Sequence, residues 1–216
     1  MLMPGFYLQT AAIALIIGYL FGNFPSAVLI SRLLLKDDIR RHGSGNPGST
    51  NMKRTFGNKW GYLTFLLDAG KCAAAILLGQ WMGSAWGLIP TNPALGTALA
   101  GYFAGTGAVI GHCYPVLLRF RGGKGSACNY AFVCMTFLWP CGVITAAASV
   151  LVYLFCRRIS AVSLAAALLF FVFTAAGGAD RPFLWCFALV NGIVIFIRHK
   201  DNIKRLIAGT ESTVDY

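Results

Sequence analysis

The sequence predicts an all-α integral membrane protein of about seven transmembrane helices, with the N-terminus outside the cell and the C-terminus in the cytoplasm. Composition is the first observation behind this: of 216 residues, 57% are hydrophobic and 12% charged, about half the charged share of a soluble domain. A water-soluble fold of this length cannot hide so much apolar surface, and a disordered chain has the opposite composition, so lipid must solvate it. Segmentation is the second: apolar runs fall at about 6–31, 60–82, 95–118, 127–139, 140–156, 161–176 and 183–197. The third is where the positive charges lie between those runs.

Taken in order, the first run lacks the basic start and small-residue cleavage site of a secretory signal and is expected to be a retained first helix. The second carries Asp68 and Lys71. Three positions apart on a helix they share a face, and opposite charges inside a span fit best as a pair turned inward. The third contains His112 shortly before Pro115. The last four runs are shorter than the roughly 20 residues of a straight span, and only Trp139-Pro140 divides the fourth from the fifth, so five spans with longer or re-entrant pieces also fit. No internal repeat is visible, which gives no support to an inverted-repeat transporter. The whole chain, residues 1–216, is expected to be one membrane-embedded domain.

The chain has 18 Lys and Arg against 7 Asp and Glu, a net charge of +11. Of the 18, seven lie in residues 32–59, three in 119–124, two in 157–158 and four in 198–205. Every second connection is therefore basic; those at 83–94 and near 140 carry no charge, and Asp180 and Arg181 cancel in the turn at 177–182. That alternation sets the orientation and suits anionic head groups, so no nucleic-acid partner is expected. The seven cysteines (72, 113, 128, 134, 141, 156 and 186) are odd in number and show no C-x-x-C spacing, so buried free thiols are expected.

Between Asp68 and Asp180 there is no carboxylate, yet Arg119, Arg121, Lys124, Arg157 and Arg158 lie there. They serve either as an orientation signal at the lipid surface or as the clamp for an anionic ligand. Gly122-Gly123-Lys124-Gly125-Ser126 favours the clamp, because small residues let backbone N–H groups approach an anion, Lys124 adds charge, and a helix begins just afterwards. It is not a Walker A loop, since Gly125 follows Lys124 and Leu118 stands at the earlier glycine position. The loop from Gly43 to Arg54 contains a formal G-x-G-x-x-G, but Arg40-Arg41-His42 precede it and a span follows, so the dinucleotide reading fails. What remains is either a polar turn or a dense set of donors.

Of the three histidines, none is followed five residues later by an acid: those places hold Pro47, Leu117 and Lys204. The His-x4-Asp base of soluble-donor acyltransferases is absent. Nor do His42, His112 and His199 have ligand spacing, so no metal is expected. His112 reads as a satisfied histidine of the bundle.

In order along the chain, these segments resemble the bacterial PlsY family, the membrane-integral glycerol-3-phosphate acyltransferases that use acyl phosphate. The resemblance runs from about residue 20 to 211. It rests on the glycine loop with Thr50-Asn51 and Arg54, then Asp68-Ala69-Gly70-Lys71; on Gly111-His112 and Pro115 leading to Phe120-Arg121-Gly122-Gly123-Lys124-Gly125; on Ser160 and Ser163 after Arg157-Arg158; and on Arg198-His199, Asn202-Ile203, Arg205-Leu206, Gly209 and Glu211. The chain departs from the family at Ser49, usually alanine, at Cys72, usually glycine, and at Arg158-Ile159-Ser160-Ala161, usually a tyrosine-serine-leucine run.

The resemblance implies transfer of a fatty acyl group from acyl phosphate to the sn-1 hydroxyl of glycerol 3-phosphate, at the cytoplasmic face of the bacterial inner membrane, with membrane lipid as surroundings and no cofactor. It implies Ser44, Thr50, Gly122, Gly123, Lys124 and Ser160 for acyl phosphate, and Arg54, Lys124, His199 and Asn202 for glycerol 3-phosphate. Ser44, Lys124 and His199 form the implied catalytic set, with Asn46, Asn51, Asp68, Lys71 and Glu211 in support. A transporter or exporter of a small organic anion is the rival class, and a non-catalytic lipid-binding scaffold a third. A transporter places its ligands at mid-bilayer, often on broken helices.

Overall fold

The computed structural model describes residues 4–89, 91–136, 142–176 and 183–213. Every described element is helical, and each apolar run of the sequence is helical over most of its described length. The chain divides into two compact units, Met1–Phe132 and Val133–Tyr216.

The first unit begins with α1 (Pro4–Gly22), continues through α2 (Ser26–Leu29) into a π-helical turn (Ile30–Leu34), and passes a 3-10 turn (Ile39–Arg41) to α3 (Ser49–Phe56). Next come α4 (Asn58–Ala85), α5 (Pro93–Cys113), a 3-10 turn (Val116–Leu118) and α6 (Ser126–Thr136), which crosses the boundary between the units. The first apolar run, read from the sequence as one helix, is thus broken at Asn23-Phe24-Pro25. Proline has no N–H to donate and crowds the preceding turn, so the break falls where it stands. The residues read as the first loop likewise contain helix α3 and the start of α4.

Helix α5 packs along both α1 and α4, and small residues make this possible. A methyl group at Gly18 of α1 would fall on the Ala104 carbonyl oxygen, one at Gly107 on that of Leu15, and one at Gly111 on that of Tyr19; on the other face, a Cβ at Gly79 of α4 would meet the Ala100 oxygen at 2.6 Å. In lipid no hydrophobic gain drives helices together, so backbone approach across small residues carries the association. Helix α4 has 28 residues, about 42 Å of helix, longer than a hydrocarbon core of about 30 Å.

In the second unit α8 (Ile159–Ala176) packs against α7 (Val143–Cys156) and α9 (Leu184–Arg198), and the short α10 (Lys200–Ile207) follows. Among the described residues, four stretches are long and apolar enough to cross a membrane: Leu8–Leu34, Asn58–Ala85, Pro93–Leu118 and Ile159–Ala176. Helices α7 and α9 are apolar but shorter. Trp139-Pro140, Cys141 and Asp180-Arg181 lie outside the described residues.

Large apolar side chains such as Leu66, Trp81, Leu154 and Phe155 are exposed, as suits a surface in contact with lipid rather than water. The cysteine expectation needs correction: Cys72, Cys113 and Cys128 are buried thiols in no disulfide, but Cys134 is exposed and Cys156 and Cys186 are half-buried. An apolar solvent accepts a thiol as readily as a core does.

Candidate active site

The glycine loop is held from within. Gly43 and Gly45 have φ of +53° and +67°, a left-handed backbone that side chains rarely adopt. The buried Asn51 side chain fills the bend: its Oδ1 accepts the Ser44 N–H at 3.1 Å, and its Nδ2 donates to the carbonyls of His42 (3.0 Å) and Ile39 (3.3 Å). Asn51 therefore shapes the loop, and Ser44 is left exposed at its tip with its Oγ accepting from the Asn46 N–H at 3.4 Å. Thr50 sits in the first turn of α3, and Arg54 is exposed on its last turn. Before the loop, Asp38 pairs with Arg40 (2.7 Å) and Arg32 (2.8 Å). The Arg40 guanidinium, above all, holds the Asp38 carboxyl far below the usual carboxylate range.

The helix break and the second span meet in a buried polar cluster. Lys71 Nζ lies 2.8 Å from Asp68 Oδ1, 2.7 Å from the Phe24 carbonyl oxygen and 3.0 Å from His112 Nδ1. Ser26 Oγ donates to the same Asp68 oxygen at 2.8 Å, and the Cys128 thiol donates to the Asp68 carbonyl at 3.2 Å. The inward Asp68–Lys71 pair expected from the sequence is present, and His112 is satisfied within it. Ser26, Phe24 and Asn23 were missed from sequence. Asn23 donates to the Tyr19 carbonyl at 2.7 Å and accepts the Val116 N–H at 2.7 Å. The one signal that could have revealed them is Pro25, which frees carbonyls just before it.

Around Lys124 the structure alters the expected chemistry. The N–H groups of Gly122 and Gly123 do not open towards an anion: they donate to the carbonyls of Cys113 (3.2 Å) and His112 (3.0 Å). Both glycines are buried, and a Cβ at Gly123 would fall on His112 Nε2. Their smallness serves close packing on the end of α5. The anion-binding potential moves one step along, to half-buried Lys124 and the head of α6, whose first intrahelical bond runs from the Asn129 N–H to the Gly125 carbonyl at 2.8 Å. The N–H groups before Asn129 have no acceptor within the helix.

The second unit holds its own cluster. Glu211, buried, accepts from Ser160 Oγ (2.7 Å) and Asn202 Nδ2 (2.6 Å) at Oε1 and from Arg205 Nε (2.7 Å) at Oε2, while its carbonyl accepts from Arg158 Nε at 3.2 Å. Burial opposes its charge, but the bonds from Asn202, Ser160 and Arg205 outweigh that and hold its carboxyl below the usual range. Because the Ser160 proton points at Glu211, a phosphate would have to take that donor from the carboxylate. His199 is also buried, between α9 and α10, and its Nδ1 lies 2.9 Å from the Ile195 carbonyl oxygen. A carbonyl only accepts, so Nδ1 carries the proton of this hydrogen bond.

Residues 12–209 match the family described as Glycerol-3-phosphate acyltransferase. The chain belongs to this family. Similar relatives include a glycerol-3-phosphate acyltransferase of Caulobacter vibrioides, 40% identical over 206 residues that span 95% of this chain and 88% of that one. Another is from Brucella canis, 36% identical over 211 residues, spanning 98% and 96% of the two chains. The crystal structure of PlsY, an integral membrane glycerol 3-phosphate acyltransferase, in its glycerol 3-phosphate form superposes with a TM-score of 0.81 at 30% identity, covering 95% of this chain and 96% of that one. Its lysophosphatidic acid form gives 0.76 at 29% identity, covering 95% of each. The chain is thus a membrane-integral acyltransferase, which decides against the transporter and scaffold readings.

The carboxylate of Glu211 generates a pH prediction. A carboxyl whose folded pKa is depressed contributes stability above its unfolded value of about 4.3, and that contribution is lost as pH falls through the folded pKa. Glu211→Gln should therefore unfold at a lower temperature than the parent at pH 7 in detergent. The gap should close as the pH is lowered through the carboxylate range, which a series of melting curves for both proteins checks.

Proposed function

We propose that this chain transfers a fatty acyl group from acyl phosphate to the sn-1 hydroxyl of glycerol 3-phosphate, releasing lysophosphatidic acid and phosphate in the first step of phospholipid synthesis. One observation carries the reading: the solved relative exists in a glycerol 3-phosphate form and a lysophosphatidic acid form, and these two molecules differ by a single acyl ester. They are acceptor and product of one reaction. Acyl phosphate as donor is supported by the motifs shared with the PlsY family. All of 1–216 acts, in this reading, as one acyltransferase domain in the bacterial inner membrane.

The residue roles are ours as well, each assigned through its own motif. Ser44, Thr50, Lys124 and Ser160 serve acyl phosphate, with Gly122 and Gly123 giving Lys124 its place. Arg54, Lys124, His199 and Asn202 serve glycerol 3-phosphate, and Asn46, Asn51, Asp68, Lys71 and Glu211 support them. The glycerol hydroxyl attacks the acyl carbon, the new ester C–O bond forms, the bond from the acyl carbon to the phosphate oxygen breaks, and the phosphate leaves. Lys124 neutralises charge on the acyl oxygen and the departing phosphate. The hydroxyl proton passes to a phosphate oxygen, while His199 orients the acceptor. The Nδ1 partner of His199 is a backbone carbonyl rather than a carboxylate, so that hydrogen bond does not stabilise an imidazolium as one to an acid would.

Two variants separate this mechanism from one in which His199 is the base. At saturating substrates, Lys124→Ala should abolish phosphate release, while His199→Gln should keep kcat within about tenfold and raise KM for glycerol 3-phosphate. A general base supplies about 10² to 10⁴ in rate, so a loss beyond a hundredfold in His199→Gln at unchanged KM would restore His199 as the base.

Seven spans, an outside N-terminus and a cytoplasmic active site complete the reading, supported by basic residues in every second connection and by the positive-inside rule. Single cysteines at Ser44, Lys124, Ser160 and Asn202, in a cysteine-free background, should resist an impermeant maleimide applied to intact cells, and one at Thr91 should react. Labelling of any of the first four from outside would overturn the layout.

A further inference from the structure

The buried cluster around Lys71 continues to the loop that carries Lys124. The ammonium has three protons and three acceptors at hand: the Phe24 carbonyl, Asp68 Oδ1 and His112 Nδ1. Asp68 Oδ1 lies 3.4 Å from the same imidazole nitrogen, farther than Lys71 does. Lys71 Nζ and Asp68 Oδ1 thus both bear on the Nδ1 edge of the ring, Lys71 the more closely. That Nε2 edge occupies the space a side chain on residue 123 would need. From the other side the Gly123 N–H donates to the His112 carbonyl and the Gly122 N–H to that of Cys113. One residue of α5 thus holds Gly123 by its backbone and bears on it with its ring, and the orientation of the ring is set by Lys71 and Asp68.

We propose that His112 is a positioning residue for acyl transfer: its imidazole, oriented by the Lys71–Asp68 pair, is the bed against which Gly123 lies, and so fixes where Lys124 presents its ammonium. The proposal rests on the reading of Lys124 given above. It assigns no contact with substrate to His112, Lys71 or Asp68. It also explains why residue 123 has no side chain, since alanine there would push the loop that leads to Lys124 away from the ring. A displacement of about 1 Å in a catalytic group can cost about a hundredfold in rate.

A double-mutant cycle tests it. Gly123→Ala, His112→Ala and the double variant are purified in detergent, checked for a single species and a sharp unfolding transition, and assayed for acyl transfer at varied concentrations of both substrates. Each single variant should lose about a hundredfold in kcat, and KM for glycerol 3-phosphate and for acyl phosphate should move in the same direction, because Lys124 serves both substrates. In the His112→Ala background, removal of the ring leaves room for the methyl group, so Gly123→Ala should cost less than about twofold more. Losses that multiply would overturn the proposal, as would single variants that keep the parent's kcat. If His112→Ala does not fold, His112→Gln takes its place. Its side chain can still accept from Lys71 and should restore kcat to within about tenfold of the parent; a folded His112→Gln no more active than Gly123→Ala would contradict the mechanism. Lys124→Ala is the control for the underlying reading. Should it retain turnover, the reading of Lys124 fails; should it be inactive while the Gly123 and His112 variants are unimpaired, the positioning role alone fails.

Discussion

Inside lipid no water is available to solvate Asp68 and Lys71, so the protein must answer both charges itself. The answer organises the first unit. Lys71 spends one proton on Asp68, one on His112 and one on the Phe24 carbonyl. That last oxygen stands at the break in the first span, where it also accepts the Ser26 N–H at 3.1 Å. Ser26, first residue after the break, returns a hydrogen bond to Asp68 at 2.8 Å. A broken helix in a membrane is tolerated only where its polar groups are satisfied by protein or cavity water. Here the ion pair of α4 satisfies the break in the first span, and the same pair orients the histidine under the Lys124 loop.

Close helix packing makes that cluster possible. With carbonyl oxygens of α1 facing Gly107 and Gly111 of α5, and those of α5 facing Gly18 and Gly79, the backbones of α1, α4 and α5 come near enough for side chains as short as Ser26 and Asp68 to meet. Larger residues would hold the helices apart and leave the charges to lipid, where an unpaired one costs at least about 2.5 kcal/mol. Small residues, a proline break and one ion pair are thus a single device. The Glu211 cluster follows the same logic in the second unit, where a buried carboxylate collects donors from Ser160, Asn202 and Arg205.

Much of this was legible in the sequence, and the exceptions have physical causes. The helices follow from apolar runs, and the inward Asp68–Lys71 pair from a three-residue spacing that can only mean one face of a helix. Glu211 and Asn51 were reached through the family resemblance, but their partners were not, because hydrogen bonds spanning 51 residues from Ser160 or 12 from Ile39 leave no local pattern. The Gly122-Gly123 loop misled for a related reason. Glycine marks close approach without saying to what, and the neighbour is the end of α5 rather than an anion. Pro25 was visible, yet a long apolar run around it reads as one span until the break is seen. The exposed Cys134 shows that burial inferred from apolarity fails when the solvent itself is apolar.

The most direct test of this account is the coupling between Asp68 and Lys71, measured by unfolding Asp68→Asn, Lys71→Met and the double variant in the same detergent. Removing one partner strands a buried charge and should cost about 3 to 5 kcal/mol, whereas removing both leaves none, so the double variant should be more stable than the sum of the single losses allows, by at least about 2 kcal/mol. Single variants within about 0.5 kcal/mol of the parent, or losses that simply add, would contradict the claim that this pair holds the broken span and the loop together.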